Sequence, residues 1–166
     1  KNGIRETLPV SGGTSATVTG VALGDRNAFH AAGTVRTADG DRPCLWKNGE
    51  PSLPGTTAGA GTVTCSGLTG DGTAVYACGS EARAVGTTVA VFWAGTTLRT
   101  LPSTLAGCPD PTRAVAAAIA LQDGQIVAGG TIATGTNETV PYYWAGNIRR
   151  KLSGGAGRVN AVAVPE

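Results

Sequence analysis

The sequence predicts an all-β fold made of one repeated four-stranded unit, and three observations carry that prediction. Tryptophans at 46, 93 and 144 stand 47 and 51 residues apart, each followed closely by a glycine and then by Leu53, Leu101 or Leu152. Upstream of each tryptophan lies a short apolar run ending in glycine: residues 28–33 (AFHAAG), 74–79 (AVYACG) and 125–130 (QIVAGG). Of the 166 residues 26 are glycine, 41% are hydrophobic and 14% are charged, which suits short strands and tight turns rather than disorder. Marks recurring in the same order at a period of about 40–50 residues signal a repeat architecture.

Each unit reads as four strands in order. The first is an alternating run such as residues 62–68 (TVTCSGL), whose period of two marks a half-buried strand. Asp71-Gly72 and Asp123-Gly124 supply the paired φ > 0 residues of a hairpin turn, so a second strand follows, at 74–78 in the middle unit. A longer connection leads to the third strand, 89–93, which ends at the tryptophan. Asn48-Gly49 turns the chain again, and the fourth strand runs to Leu53 or its counterparts. Residues 113–122 (RAVAAAIALQ) have a helix-forming composition, but they align with the first strands and lead into Asp123-Gly124. They are assigned to a strand.

Four antiparallel strands per unit is the blade pattern of a β-propeller. The expected fold is a partial β-propeller of about three and a half four-stranded blades. Blades fall at approximately 14–54, 60–102 and 113–152, with partial blades at 1–9 and 157–166. Lys1-Asn2-Gly3 aligns with Lys47-Asn48-Gly49, and residues 159–166 align with a first strand. On that reading the remaining blades lie on another chain or in further sequence. A β-trefoil, built from three four-stranded repeats, is the alternative architecture. The pattern formed by Leu45-Trp46, Gly49, Leu53, Gly79 and Phe92-Trp93 resembles the HAF-type repeats of secreted bacterial propellers. That resemblance implies extracellular placement and no particular activity.

Four cysteines without a Cys-x-x-Cys pair argue for disulfides over zinc. Counting outward from a two-residue turn at Asp71-Gly72 sets Cys65 against Cys78 in a non-hydrogen-bonded pair. There the α-carbons approach to about 4.5 Å, just inside the disulfide range. The expected bridge is therefore Cys65–Cys78, provided no bulge shifts the register; buried free thiols are the other reading. For Cys108, a bridge to Cys44 and a contact with further sequence both fit.

The residues that first suggest chemistry mostly fall on structural positions. His30 is the only histidine and shares its repeat position with Tyr76 and Val127, a packing slot. Asp25, Asp71 and Asp123 recur at one hairpin turn, where turn chemistry accounts for them. No serine or threonine sits in a nucleophile elbow, and the stretches at 12–14 and 59–61 lack the lysine of a phosphate loop. No catalytic set, cofactor or metal is expected. The net charge of +2 is scattered except at 149–151 (RRK), read as a basic strand edge that discourages pairing, so nucleic acid is not an expected partner. No apolar run approaches the roughly 18–20 residues of a membrane span.

Binding usually resides on variable loops held by a rigid scaffold. The long, dissimilar connections, residues 34–41, 80–87, 103–113 and 131–139, gather at one end of the units. Arg42, Glu81, Arg83, Asp110, Arg113 and Glu138 are the candidate polar contacts there. The expected function is an extracellular, non-enzymatic recognition or scaffold module for a protein or glycan surface. A secreted hydrolase using loop carboxylates such as Asp110 and Glu138 on carbohydrate is one alternative, and a structural repeat of a surface assembly is another.

Overall fold

Alternating polarity becomes strand throughout. The computed structural model describes residues 7–24, 28–57, 62–70, 74–83, 86–103, 113–133, 139–152 and 154–164, and these form twelve strands. The first unit holds β1 (Ser15–Leu23), β2 (Phe29–Thr37), β3 (Gly40–Lys47) and β4 (Glu50–Ser52). The second holds β5 (Val63–Gly70), β6 (Val75–Ala82), β7 (Thr88–Ala94) and β8 (Thr97–Thr100). The third holds β9 (Arg113–Gln122), β10 (Gln125–Ala133), β11 (Thr139–Ala145) and β12 (Ile148–Lys151). The run at 113–122 is strand along its whole length, despite its alanines.

Strands pair with their sequence neighbours inside each unit. The first unit is a separate four-stranded sheet, and the other two form an eight-stranded one. One parallel residue pair, Thr88 with Arg113, joins the two halves of that larger sheet. Three antiparallel meanders are thus the architectural unit. The hairpin turns follow the expected chemistry: Asn48 and Gly49 have φ of 51° and 90°, and Asp123 and Gly124 have 48° and 73°. Asp71-Gly72 and Lys1-Asn2-Gly3 lie outside the described residues.

The glycine ending each second-strand motif has a steric cause. Each first strand carries a β-bulge that leaves Thr19, Ser66 or Ala117 without a partner. Beside the bulge the first-strand backbone presses on the second strand. A Cβ on Gly33, Gly79 or Gly130 would run into the carbonyl oxygen of Thr17, Thr64 or Val115 respectively. Only glycine fits so close a backbone approach.

The observed register corrects the disulfide expectation. Gly70 pairs with Val75 and not with Thr73, a shift of two residues, and the bulge takes one back, so Cys65 lies opposite Gly79 and Cys78 opposite Gly67. Because a one-residue slip reverses the face a side chain occupies, the two thiols point to opposite sides of the sheet. Cys65 packs with Ala32, Leu45 and Trp93, whereas Cys78 packs with Ala116, Leu101 and Trp144. Cys44, Cys65 and Cys78 are all buried free thiols, and Cys108 lies outside the described residues.

The core consists of the seams between units. One cluster joins the first and second units through Ala32, Leu45, Val63, Val91 and Trp93. Another joins the second and third through Cys78, Ala90, Leu101, Ile119 and Trp144. The tryptophans, at most 1% exposed, are the largest buried side chains. Each reaches back to the segment that leads into its own unit. Trp46 Nε1 donates to the Pro9 carbonyl, Trp93 Nε1 to that of Gly55 and Trp144 Nε1 to that of Pro102, all at 2.8 Å. One latch therefore recurs three times.

The two ends of the stack differ. At the far end Val159 and Val162 lie over Gly129, so the trailing segment fills the place that β5 and β9 fill at the internal seams. At the near end Leu8 and Val10 cover Trp46 and Cys44, while β1 itself is left open.

Candidate functional site

The first strands of the three units share a backbone but not a polarity. Register aligns Thr17 with Thr64 and Val115, and the bulge aligns Thr19 with Ser66 and Ala117. Hydroxyls in the first two units thus become apolar side chains in the third. Where β1 and β2 meet β5, the hydroxyls of the first unit line a groove of about 470 Å³. Its walls are Ser15, Ala16, Thr17 and Thr19 from β1, Thr34 and Arg36 from β2, Asp41 from β3, and Thr64, Cys65 and Ser66 from β5.

Two of these side chains hold the seam itself. Thr19 Oγ1 donates to the Cys65 carbonyl at 2.8 Å, with the Ala32 carbonyl at 3.2 Å. Thr34 Oγ1 accepts from the Cys65 amide at 3.2 Å. Thr64 and Ser80 hydroxyls pair at 2.9 Å. At the mouth, Arg36 Nε lies 3.1 Å from Asp41 Oδ1, joining adjacent strands in a solvent-facing ion pair. The groove offers hydroxyl groups that both donate and accept, together with one cation and one carboxylate. Such a lining suits a polyhydroxylated neutral ligand. Glycosidase chemistry calls for two flanking carboxylates, and Asp41 is the carboxylate on these walls.

The residues selected from sequence fall in several places. Arg42 follows Asp41 on β3 and its Nη2 donates to the Asp39 carbonyl at 3.4 Å; it pairs with Val35, on the face opposite Asp41 and the groove. Glu81 is fully buried. Its carboxylate accepts from the Thr57 amide at 2.7 Å and the Thr57 hydroxyl at 2.6 Å, and meets Arg83 Nε at 3.3 Å. Arg83 also donates to Thr100 Oγ1 at 3.2 Å. Glu81 and Arg83 are therefore together, but they pin the linker between units instead of framing a ligand surface. Arg113 is the exposed first residue of β9. Asp110 and Glu138 lie outside the described residues.

His30 pairs across the ladder with Lys47, and partial burial together with that lysine lowers its pKa from 6.5. Burial pushes the thiols of Cys44 to about 11 and Cys65 to about 12, and raises that of Cys78 as well, so all three stay protonated at neutral pH. Neither group supplies an activated nucleophile. Among the described residues no cluster of three metal-ligating side chains occurs.

The candidate groove lies at the long-connection end, and its residues Ser15, Thr17, Arg36 and Asp41 are not among the contacts expected from the sequence. The missed signal was internal. Hydroxyls in SATVTG and TVTCSG stand where RAVAAA has arginine, valine and alanine.

No family model matches the sequence, and neither does any curated protein. Among solved structures the fold is similar to that of a fucose lectin from Kordia zhangzhouensis, solved in complex with methyl-fucoside. The TM-score is 0.57 at 12% identity, covering 82% of this chain and 98% of the lectin chain. At that identity the likeness shows a shared all-β, lectin-like fold.

Proposed function

We propose that this chain is an extracellular, non-enzymatic recognition module that binds carbohydrate in the groove between its first and second units. The carrying observation is the concentration of hydroxyls and the Arg36–Asp41 pair at one seam, with Val115 and Ala117 standing where Thr17 and Thr19 do in the first unit. The lectin-like fold supports the same reading. We read the three meanders as propeller blades, with residues 157–164 as the first strand of a further one. Pairing confined to each unit apart from the single Thr88–Arg113 pair supports blades over a trefoil, whose barrel needs strands paired between repeats.

The groove's volume is within the usual range for small-ligand sites. Ser15 and Thr17 would meet sugar hydroxyls, while Arg36 and Asp41 would supply charge-assisted bonds. No aromatic side chain is on the groove wall. Affinity for a single sugar therefore rests on hydrogen bonds, and high avidity would require several sites.

A glycan array followed by calorimetric titration, with methyl-fucoside as the first probe, tests the reading. Arg36→Ala and Thr17→Val should each weaken binding about tenfold, the effect of one hydrogen bond lost from a polar contact. Absence of glycan binding, or binding untouched by either substitution, would reject it.

A further inference from the structure

The strongest unexplained feature lies on the opposite face of β1. Val18, Val21 and Leu23 pair with Gly33, Ala31 and Phe29, so they share the face that carries Trp46 and Cys44. They are 44%, 63% and 74% exposed. The positions aligned with Val18 are covered, Cys65 being 2% exposed and Ala116 0%, and Ile119, aligned with Val21, is 7% exposed. Leu68 and Leu121, aligned with Val21 and Leu23, are half-buried. What covers them is the back of the preceding unit, through Ala32 and Leu45 at one seam and Cys78 at the next. The first unit therefore presents, bare, a surface that this fold uses twice as an interior interface.

We propose that this face of β1 is a docking surface for a second copy of the chain, related to the first by a two-fold axis. Two observations favour a symmetric contact over a head-to-tail one. Val18, Val21 and Leu23 carry no charge, so these side chains of two copies meet without like-charge repulsion. The back of the third unit, which a head-to-tail contact would need, is covered by Val159 and Val162 over Gly129. An isologous pairing uses the open surface on both partners and disturbs nothing. Val18, Val21 and Leu23 alone remove roughly 300 Å² of exposed surface per copy, so about 600 Å² over the two copies, half of the roughly 1,200 Å² that a small specific interface buries in total. The neighbouring segment around Leu8 and Val10 extends the same face.

Sedimentation of the full chain from low to high micromolar concentration tests the proposal. A monomer–dimer equilibrium that saturates at the dimer is expected. Val21→Arg and Leu23→Lys should each shift the midpoint at least a hundredfold towards monomer with unchanged circular dichroism. Both positions are more than half exposed, so the monomer accommodates the charge. A chain that stays monomeric throughout would overturn the proposal and leave the face to a further repeat or an unlike partner. So would a ladder of species beyond the dimer, the outcome of head-to-tail contact, or a dimer indifferent to both substitutions. Methyl-fucoside titration of the Val21→Arg protein separates this proposal from the carbohydrate reading, because the groove opens on the other face of β1.

Discussion

Replacing Trp93 by phenylalanine measures how much one latch contributes to the stack. Trp93 is fully buried and its indole donates at 2.8 Å to Gly55, in the linker between the first and second units. Phenylalanine keeps an aromatic ring in the seam but loses that donor. Water can replace it at Gly55, which is exposed, so the hydrogen bond accounts for about 1 kcal/mol net. The missing ring volume, ~40 Å³, adds about 1 kcal/mol at roughly 24 cal/mol per Å³ of unfilled cavity. Lost apolar transfer brings the sum to about 2–3 kcal/mol. For a domain of this size that lowers the midpoint of thermal unfolding by about 4–12 °C. Urea unfolding followed by far-ultraviolet circular dichroism gives the number. Trp144→Phe should match it, because Trp144 repeats the geometry with Pro102. A Trp93→Phe loss below about 1 kcal/mol, or one differing several-fold from Trp144→Phe, would refute the claim that a shared latch holds successive units.

Three other outcomes follow from particular contacts. Gly79→Ala places a methyl group on the Thr64 carbonyl and should cost about 1–3 kcal/mol or more, seen as a lowered urea midpoint. Gly86→Ala, at a surface turn with φ of 72° and open space around it, should cost only about 1 kcal/mol. Glu81→Ala leaves the Thr57 amide and Arg83 without their acceptor and should destabilise by about 2–4 kcal/mol, whereas Glu81→Gln, which still accepts, should cost less in the same assay. The folded-state pKa values of Cys44 and Cys65 are raised above 9.0, so the fold favours the neutral thiol. Their contribution is fully present below about pH 9 and is lost as pH rises towards 11–12, by up to about 1.4 kcal/mol per unit for each group. Thermal unfolding between pH 8 and 11 should show that decline, and a thiol reagent at pH 8 should leave both cysteines unmodified until the protein unfolds.

The fold was legible because its signals are local and repeated. Asn48-Gly49 and Asp123-Gly124 turn where such dipeptides are expected to, and the three tryptophans are core anchors at one repeat position. The bulges were not legible. No residue type announces them, since Thr19, Ser66 and Ala117 have little in common beyond small size, yet each reverses the facing of every residue beyond it. Counting from the Asp71-Gly72 turn misplaced Cys65 relative to Cys78 because Gly70 pairs with Val75 and not with Thr73, and because the bulge then shifts the register by one residue. Glu81 misled for a related reason. A charged residue beside a long connection suggests a binding loop, but it occupies the buried position held by Val35 and Ile132 in the other units. Its carboxylate is balanced by Thr57, a partner 24 residues away that no local pattern reveals.

One strand joins the two functional proposals. Before its bulge β1 alternates strictly, so Ser15 and Thr17 pair with Arg36 and Thr34 on the seam side, while Val18 pairs with Gly33 on the opposite face. The unpaired Thr19 then shifts the alternation by one residue, returning Val21 and Leu23 to the side of Val18, opposite Ala31 and Phe29. Without the bulge, continued alternation would send Val21 into the seam with Thr17 and leave Val18 to form the open face with Gly20. The bulge is thus what keeps the apolar side chains together on one face and the hydroxyls together on the other. A single sheet thickness separates them. Two copies joined through their valine faces would hold their carbohydrate grooves on either side of one interface, in a fixed relation. The spacing of two sugars that both grooves can engage at once is then a property of the dimer, and Val21→Arg should abolish preference for it while leaving binding of one sugar intact.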